Sequence, residues 1–179
     1  MKKNILLGVT GSIAAYKAAD IANTLTKEGH SIHVIMTKSG MEFITPLTFQ
    51  TLTKNKVHTD MFGDYIPSEV EHISLAQKAD IAVIAPATAN FIAKAAAGIA
   101  DDMLTTVILA LKNKPVIVCP AMNTAMYENK VTQRNIHILK ELGFQFVEPR
   151  EAMLACGVVG RGALAETDLI LQAVRNQIT

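Results

Sequence analysis

The sequence predicts an α/β fold in which helices cover both faces of a parallel sheet. Two observations carry that reading: short apolar runs rich in β-formers alternate with longer stretches of helical pattern, and no linker, repeat or low-complexity tract interrupts the order. The first run, NILLG at 4–8, passes straight into a glycine turn, which marks it as a strand rather than the apolar core of a signal peptide. Small residues at 12–28 make the first helix, and SIHVIM at 31–36 the second strand. A short helical pattern at 74–79 leads to the strand IAVIA at 81–85. Two helical patterns follow at 88–97 and 102–112, then the strand VIVC at 116–119, whose ladder Pro120 ends. A helix at 132–142, a strand at 144–147 and a last helix at 167–177 complete the order.

Composition narrows the function classes. A chain of 179 residues, half of them hydrophobic, suits one domain. Its 17 basic and 16 acidic residues leave a net charge of +1, which offers no field for nucleic acid or anionic membranes. Mean hydropathy is positive, yet charged residues interrupt every apolar stretch well before the ~18 that a membrane span requires. Two cysteines, Cys119 and Cys156, suit a reducing cytoplasm and leave room for at most one bridge. No metal-ligand spacing appears among them or the five histidines.

Open sheets of this kind bind ligands beyond the carboxyl ends of their strands, so the strand exits are where chemistry is expected. The first exit, GVTGSIAAYKAA, places Gly11 and Ser12 at a helix start, where a backbone can approach an anion. It lacks the G-x-G-x-x-G spacing, and the second strand ends in Thr37, Lys38 and Ser39 where a ribose-binding enzyme carries an acid. Hydroxyls and a cation suit a phosphate better than a ribose diol. The third exit, APATANFIAKAAAG, adds Thr88 and Asn90. Helix capping is the alternative reading for Ser12, Ser39 and Thr88. The fourth exit, PAMNTAMY at 120–127, combines the amide of Asn123 with Met122 and Met126, four apart. If the segment turns helical, the two thioethers share a face that suits either core packing or a flat aromatic ligand.

PAMNTAMY resembles the P-x-M-N-x-x-M-W motif of the homo-oligomeric flavin-containing cysteine decarboxylases. PATAN, GSIAAYKA and VEHISLA also match that family, so the resemblance spans nearly the whole chain. ACGVVGRGAL at 155–164 resembles the substrate clamp of the branch that converts 4'-phosphopantothenoylcysteine to 4'-phosphopantetheine for coenzyme A. The sequence departs from the family at Tyr127, usually Trp, at Val158, usually Asp, and at Phe91, usually Thr.

The resemblance implies a single-domain Rossmann-like (flavodoxin-like) three-layer sandwich, a cytoplasmic enzyme and a homotrimer, or a multiple of trimers, with ligands held between subunits. It implies FMN as cofactor, bound by Gly11, Ser12 and Ile13, by Thr37 and Ser39, by Thr88, Ala89 and Asn90, and by Ala121. Asn123 is expected to bind the substrate carboxylate, His72 to act in proton transfer or substrate positioning, and Cys156 to be the final acid. Met153, Leu154 and Ala155 match the clamp's substrate-contacting stretch. The implied chemistry oxidises the thiol end to a thioaldehyde, releases carbon dioxide to leave an aminoenethiolate, and returns the hydride, with no net redox. A chain of this length implies that the synthetase fused to many bacterial relatives is a separate protein. Rival readings are a peptidyl-cysteine decarboxylase, a flavin prenyltransferase and a non-catalytic flavin-binding regulator.

Overall fold

The computed structural model describes residues 1–62, 70–153, 157 and 159–178. Its centre is a six-stranded parallel sheet made of β1 (Asn4–Val9), β2 (Ser31–Met36), β3 (Val57–His58), β4 (Ile81–Ala87), β5 (Val116–Pro120) and β6 (Gln145–Phe146). The strands lie in the order β3-β2-β1-β4-β5-β6. Every residue of β4 and β5 is buried, which explains why these strands read as unbroken apolar runs: a parallel sheet between two helical layers has no wet face.

Side chains of β1 alternate between two cores, as a pleated strand requires. Ile5, Leu7 and Val9 join one core with α1 (Ala15–Lys27), α3 (Pro46–Thr53) and α9 (Thr167–Ile178). Leu6 joins the other, which is covered by α4 (Glu71–Lys78), α5 (Ala89–Ala97), α6 (Met103–Ala110) and α8 (Lys130–Glu141). These are the three predicted layers. Ala15, Ala18, Ile21, Ala22 and Leu25 form the buried stripe of α1, and its alanines let that helix lie close to the sheet. Met103, Leu104, Val107 and Ile108 of α6 are buried within this chain, while Leu109 stays exposed.

The sequence reading missed several short elements. They are α2 (Lys38–Met41), α3, the edge strand β3, and α7 (Thr124–Glu128). It also missed an antiparallel hairpin of β7 (Arg150–Met153) and β8 (Val159–Ala163), which pairs Met153 with Val159. The helix expected from residue 74 begins at Glu71, which brings His72 into its first turn. Among the described residues no helix is long and apolar enough to cross a membrane.

Candidate active site

Strand order reverses direction between β1 and β4, and a cavity of about 1220 Å³ opens beyond their carboxyl ends. Thr10, buried at the end of β1, ties the two exits together. Its hydroxyl donates to the Pro86 carbonyl at 2.7 Å and accepts from the Thr88 N–H at 3.0 Å. The Ala85–Pro86 peptide bond at this point is cis. A second close contact joins the first exit to the second: a Cβ on Gly11 would lie 2.4 Å from Cβ of Ser39, so only glycine permits this approach.

All nine predicted cofactor residues line this one cavity: Gly11, Ser12, Ile13, Thr37, Ser39, Thr88, Ala89, Asn90 and Ala121. Of Ser12, Ser39 and Thr88, the three with capping as the alternative reading, only Thr88 is a helix cap; Ser12 lies before the N-cap of α1 and Ser39 lies inside α2. Thr88 accepts from the Phe91 N–H at 3.3 Å to cap α5, and Thr37 accepts from the Gly40 N–H at 3.1 Å to cap α2. Ser12 accepts from the Ala14 N–H at 3.3 Å within its turn. A hydroxyl that accepts one bond still has a proton to donate, so a cap on a cavity wall can also serve an anion. Ala89 and Asn90 open α5, where first-turn N–H groups have no partner inside the helix.

A further part of the wall comes from the segment after β5. Asn123 caps α7, its Oδ1 accepting from the Ala125 N–H at 2.8 Å. With Oδ1 so used, Nδ2 is the donating end of the amide. Met122 precedes α7 and Met126 lies within it, half exposed; both line the cavity, and Met122 also packs against the core under α5, α6 and α8. Cys119 is the thiol that is core packing: it is fully buried in β5, and burial pushes its ionisation well above the usual thiol range.

The β7–β8 hairpin closes over that segment. Met122 N–H donates to the Gly162 carbonyl at 2.9 Å. A Cβ on Gly160 would meet the Thr124 hydroxyl oxygen at 2.5 Å, and one on Gly162 would meet the Met122 carbonyl oxygen at 2.2 Å. Gly160 and Gly162 thus act as contact points where the backbone sits against α7 and the Met122–Asn123 segment before it, whereas a Cβ on Gly157 would meet nothing within 4 Å. Met153 lines the cavity. Leu154, Ala155, Cys156 and Val158 lie outside the described residues.

Some wall residues had no sequence signal. Asp101 and Asp102 line the cavity beside Lys94, whose ammonium donates to Asp101 at 2.7 Å and lies 3.5 Å from Asp102. The hydrogen bond to Asp101 raises the Lys94 pKa. Phe43, Met61 and Phe62 supply apolar wall from stretches assigned to no element. His72 is not in this cavity wall. It sits half-buried on α4 next to Glu71, whose carboxylate lies 2.8 Å from both His58 Nδ1 and Lys56 Nζ.

A match to the family described as Flavoprotein covers residues 1–179. The chain belongs to the flavoprotein family. Within it, the chain is 49% identical over 179 residues to a probable phosphopantothenoylcysteine decarboxylase of Streptococcus mutans, covering 99% of this chain and 100% of that protein. It is 48% identical over 170 residues to the coenzyme A biosynthesis bifunctional protein CoaBC of Bacillus subtilis, covering 95% of this chain and 42% of that protein. Two solved structures share the fold. One is a cysteine-to-serine mutant of a PPC decarboxylase complexed with pantothenoylaminoethenethiol, with TM-score 0.89, 37% identity and 98% of each chain covered. The other is the FMN-dependent cysteine decarboxylase SpaF, with TM-score 0.85, 33% identity, and 99% of this chain and 98% of that one covered. Membership of the flavoprotein family supports a flavin as the cofactor.

Proposed function

We propose that this flavoprotein is an FMN-dependent carboxy-lyase that converts 4'-phosphopantothenoylcysteine to 4'-phosphopantetheine for coenzyme A. One observation carries the reading: a single cavity wall joins the nine cofactor residues to Asn123 and to Met153 of the hairpin. The wall also fits FMN chemically. The Gly11–Ser39 contact and the hydroxyls of Ser12, Thr37 and Thr88 offer a small polar cradle for a phosphate. Met36, Leu104, Met122 and Met126 offer apolar surface for a ring system.

A cysteine-type acid has no electron sink beside its carboxylate, and the bound flavin supplies one by accepting an electron pair and later giving it back. The chain's own residues do the rest. Asn123 holds the carboxylate through Nδ2, the orientation set by its cap to Ala125. The methionines cover the reacting end and exclude water. Cys156 is assigned the proton that completes the product, a task suited to a thiol with an ordinary pKa near ~8.5. His72 is assigned to the site of a neighbouring copy in a homotrimer, which accounts for its place on α4 away from its own chain's cavity.

The test is mass spectrometry of the product after flavin-loaded protein meets 4'-phosphopantothenoylcysteine. Loss of carbon dioxide alone is expected. Loss of carbon dioxide plus two hydrogens would stop the reaction at the enethiol and move the chain to the peptide-modifying class. Unchanged substrate would overturn the decarboxylase reading.

A further inference from the structure

The hairpin that roofs the cavity is joined to the Asn123 segment by more than backbone contact. Tyr127, on α7, is buried, and its hydroxyl donates to Glu148 Oε2 at 2.6 Å. The same oxygen accepts from Arg161 Nη2 of β8 at 3.2 Å. Arg161 also places its guanidinium 5.6 Å from the centre of the Tyr127 ring and donates from Nε to the Pro149 carbonyl at 3.4 Å. Lys140 of α8 holds the other carboxylate oxygen at 2.8 Å. Four pieces of the chain therefore meet on one carboxylate: α7, α8, the lead into β7, and β8.

We propose that Tyr127, Glu148 and Arg161 form a latch that positions the β7–β8 hairpin over Asn123 and so sets how tightly the substrate end of the cavity is held. They act as positioning residues, since none of the three lines the cavity. The Tyr127 hydroxyl bond is the centre of the latch. Exposed ion pairs contribute little on their own, and Glu148, Lys140 and Arg161 are each about half exposed. A hydrogen bond to a carboxylate from a buried phenol is worth much more. The flavin residues sit on the strand exits rather than on the hairpin, so the latch bears on substrate and leaves flavin binding alone.

The function assigned to the latch rests on the decarboxylase reading, but its mechanical part is tested separately. The Met122 N–H that donates to the Gly162 carbonyl reports docking of the hairpin directly. Hydrogen exchange is measured on flavin-loaded wild type, Y127F, E148A and E148Q. In Y127F and E148A, exchange at Met122 and in β8 is expected to rise about tenfold, the size of one lost bond to a charged group, with β1 and β4 unchanged. E148Q keeps an acceptor for the Tyr127 hydroxyl but loses the charge, and is expected to fall between wild type and E148A. KM for 4'-phosphopantothenoylcysteine should rise with the exchange rate, while flavin content does not change. Unchanged Met122 exchange in both Y127F and E148A would overturn the latch, as would E148Q behaving like E148A, or exchange rising equally in β1 and β4. If wild type does not decarboxylate, the functional reading falls, and the exchange pattern still decides the latch.

Discussion

At the scale of single residues, Thr10 does most to hold the site together, because one hydroxyl satisfies a carbonyl from β4 and the N–H that opens the third exit. Thr10→Val keeps the shape and strands the Thr88 N–H, while the Pro86 carbonyl keeps the backbone N–H of residue 10 at 3.3 Å. The expected cost is about 1–3 kcal/mol in urea unfolding, with weaker flavin retention because Thr88 is no longer pinned. Asn123 separates structure from chemistry. Asn123→Asp keeps an oxygen for the Ala125 N–H, so the melting temperature should barely move. It also puts a carboxylate against the substrate's own, and turnover should fall at least about a hundredfold with flavin still bound. A melting temperature that falls as far as turnover would show that capping was the residue's whole role. The sequence reached Asn123 and nine other residues of the cavity wall through exits and resemblance. Thr10 escaped it because a threonine before a glycine turn carries no mark of the long-range bonds it makes.

At the scale of elements, legibility followed burial and length. The central strands were readable because burial on both faces leaves nothing but apolar residues, as in VIVC. β3 contributes only two residues to the ladder, too few for any period to show, whereas β6, equally short, falls inside the strand expected at 144–147. The hairpin was hidden for another reason: β7 and β8 are half-buried or exposed at every position but Gly162, β8 carries two glycines, and β8 takes its place from contact with α7 and the segment before it rather than from its own pattern. α6 shows how a cap defines an element at the edge of the site. Asp102 accepts from the Thr105 N–H at 2.8 Å, and Thr105 answers with its own side chain. Asp102→Ala should cost about 1 kcal/mol of stability. Asp102→Asn, which keeps the capping oxygen and removes the charge beside Lys94, should cost little. Equal urea midpoints for the two variants would make the charge, rather than the cap, the stabilising feature.

At the scale of the whole molecule, two properties follow from where histidines sit. His58 is pushed below its ordinary value by burial, against the opposing pull of Glu71, and His33 is lowered by burial and then by the charge of His58. A depressed folded value means that the folded state resists protonation. Stability is therefore intact above the ordinary imidazole value of 6.5 and is lost as pH falls from there through the folded values. Urea midpoints should hold steady from about pH 8 to 6.5 and then decline; a flat profile down to about pH 5 would mean that neither ring is neutral because it is buried. His72 bears on assembly. The resemblance marks it as an active-site residue, yet one chain does not bring it to the cavity that holds Asn123. If a homotrimer builds each site from two copies, His72→Asn and Asn123→Asp should each be inactive alone. Random mixing of the two variants by co-expression should then restore about a quarter of wild-type activity, because one in four sites receives a native His72 from one copy and a native Asn123 from its neighbour. If both residues served from the same chain, every site in the mixture would carry one defect. No recovery would then return His72 to a structural role at the start of α4.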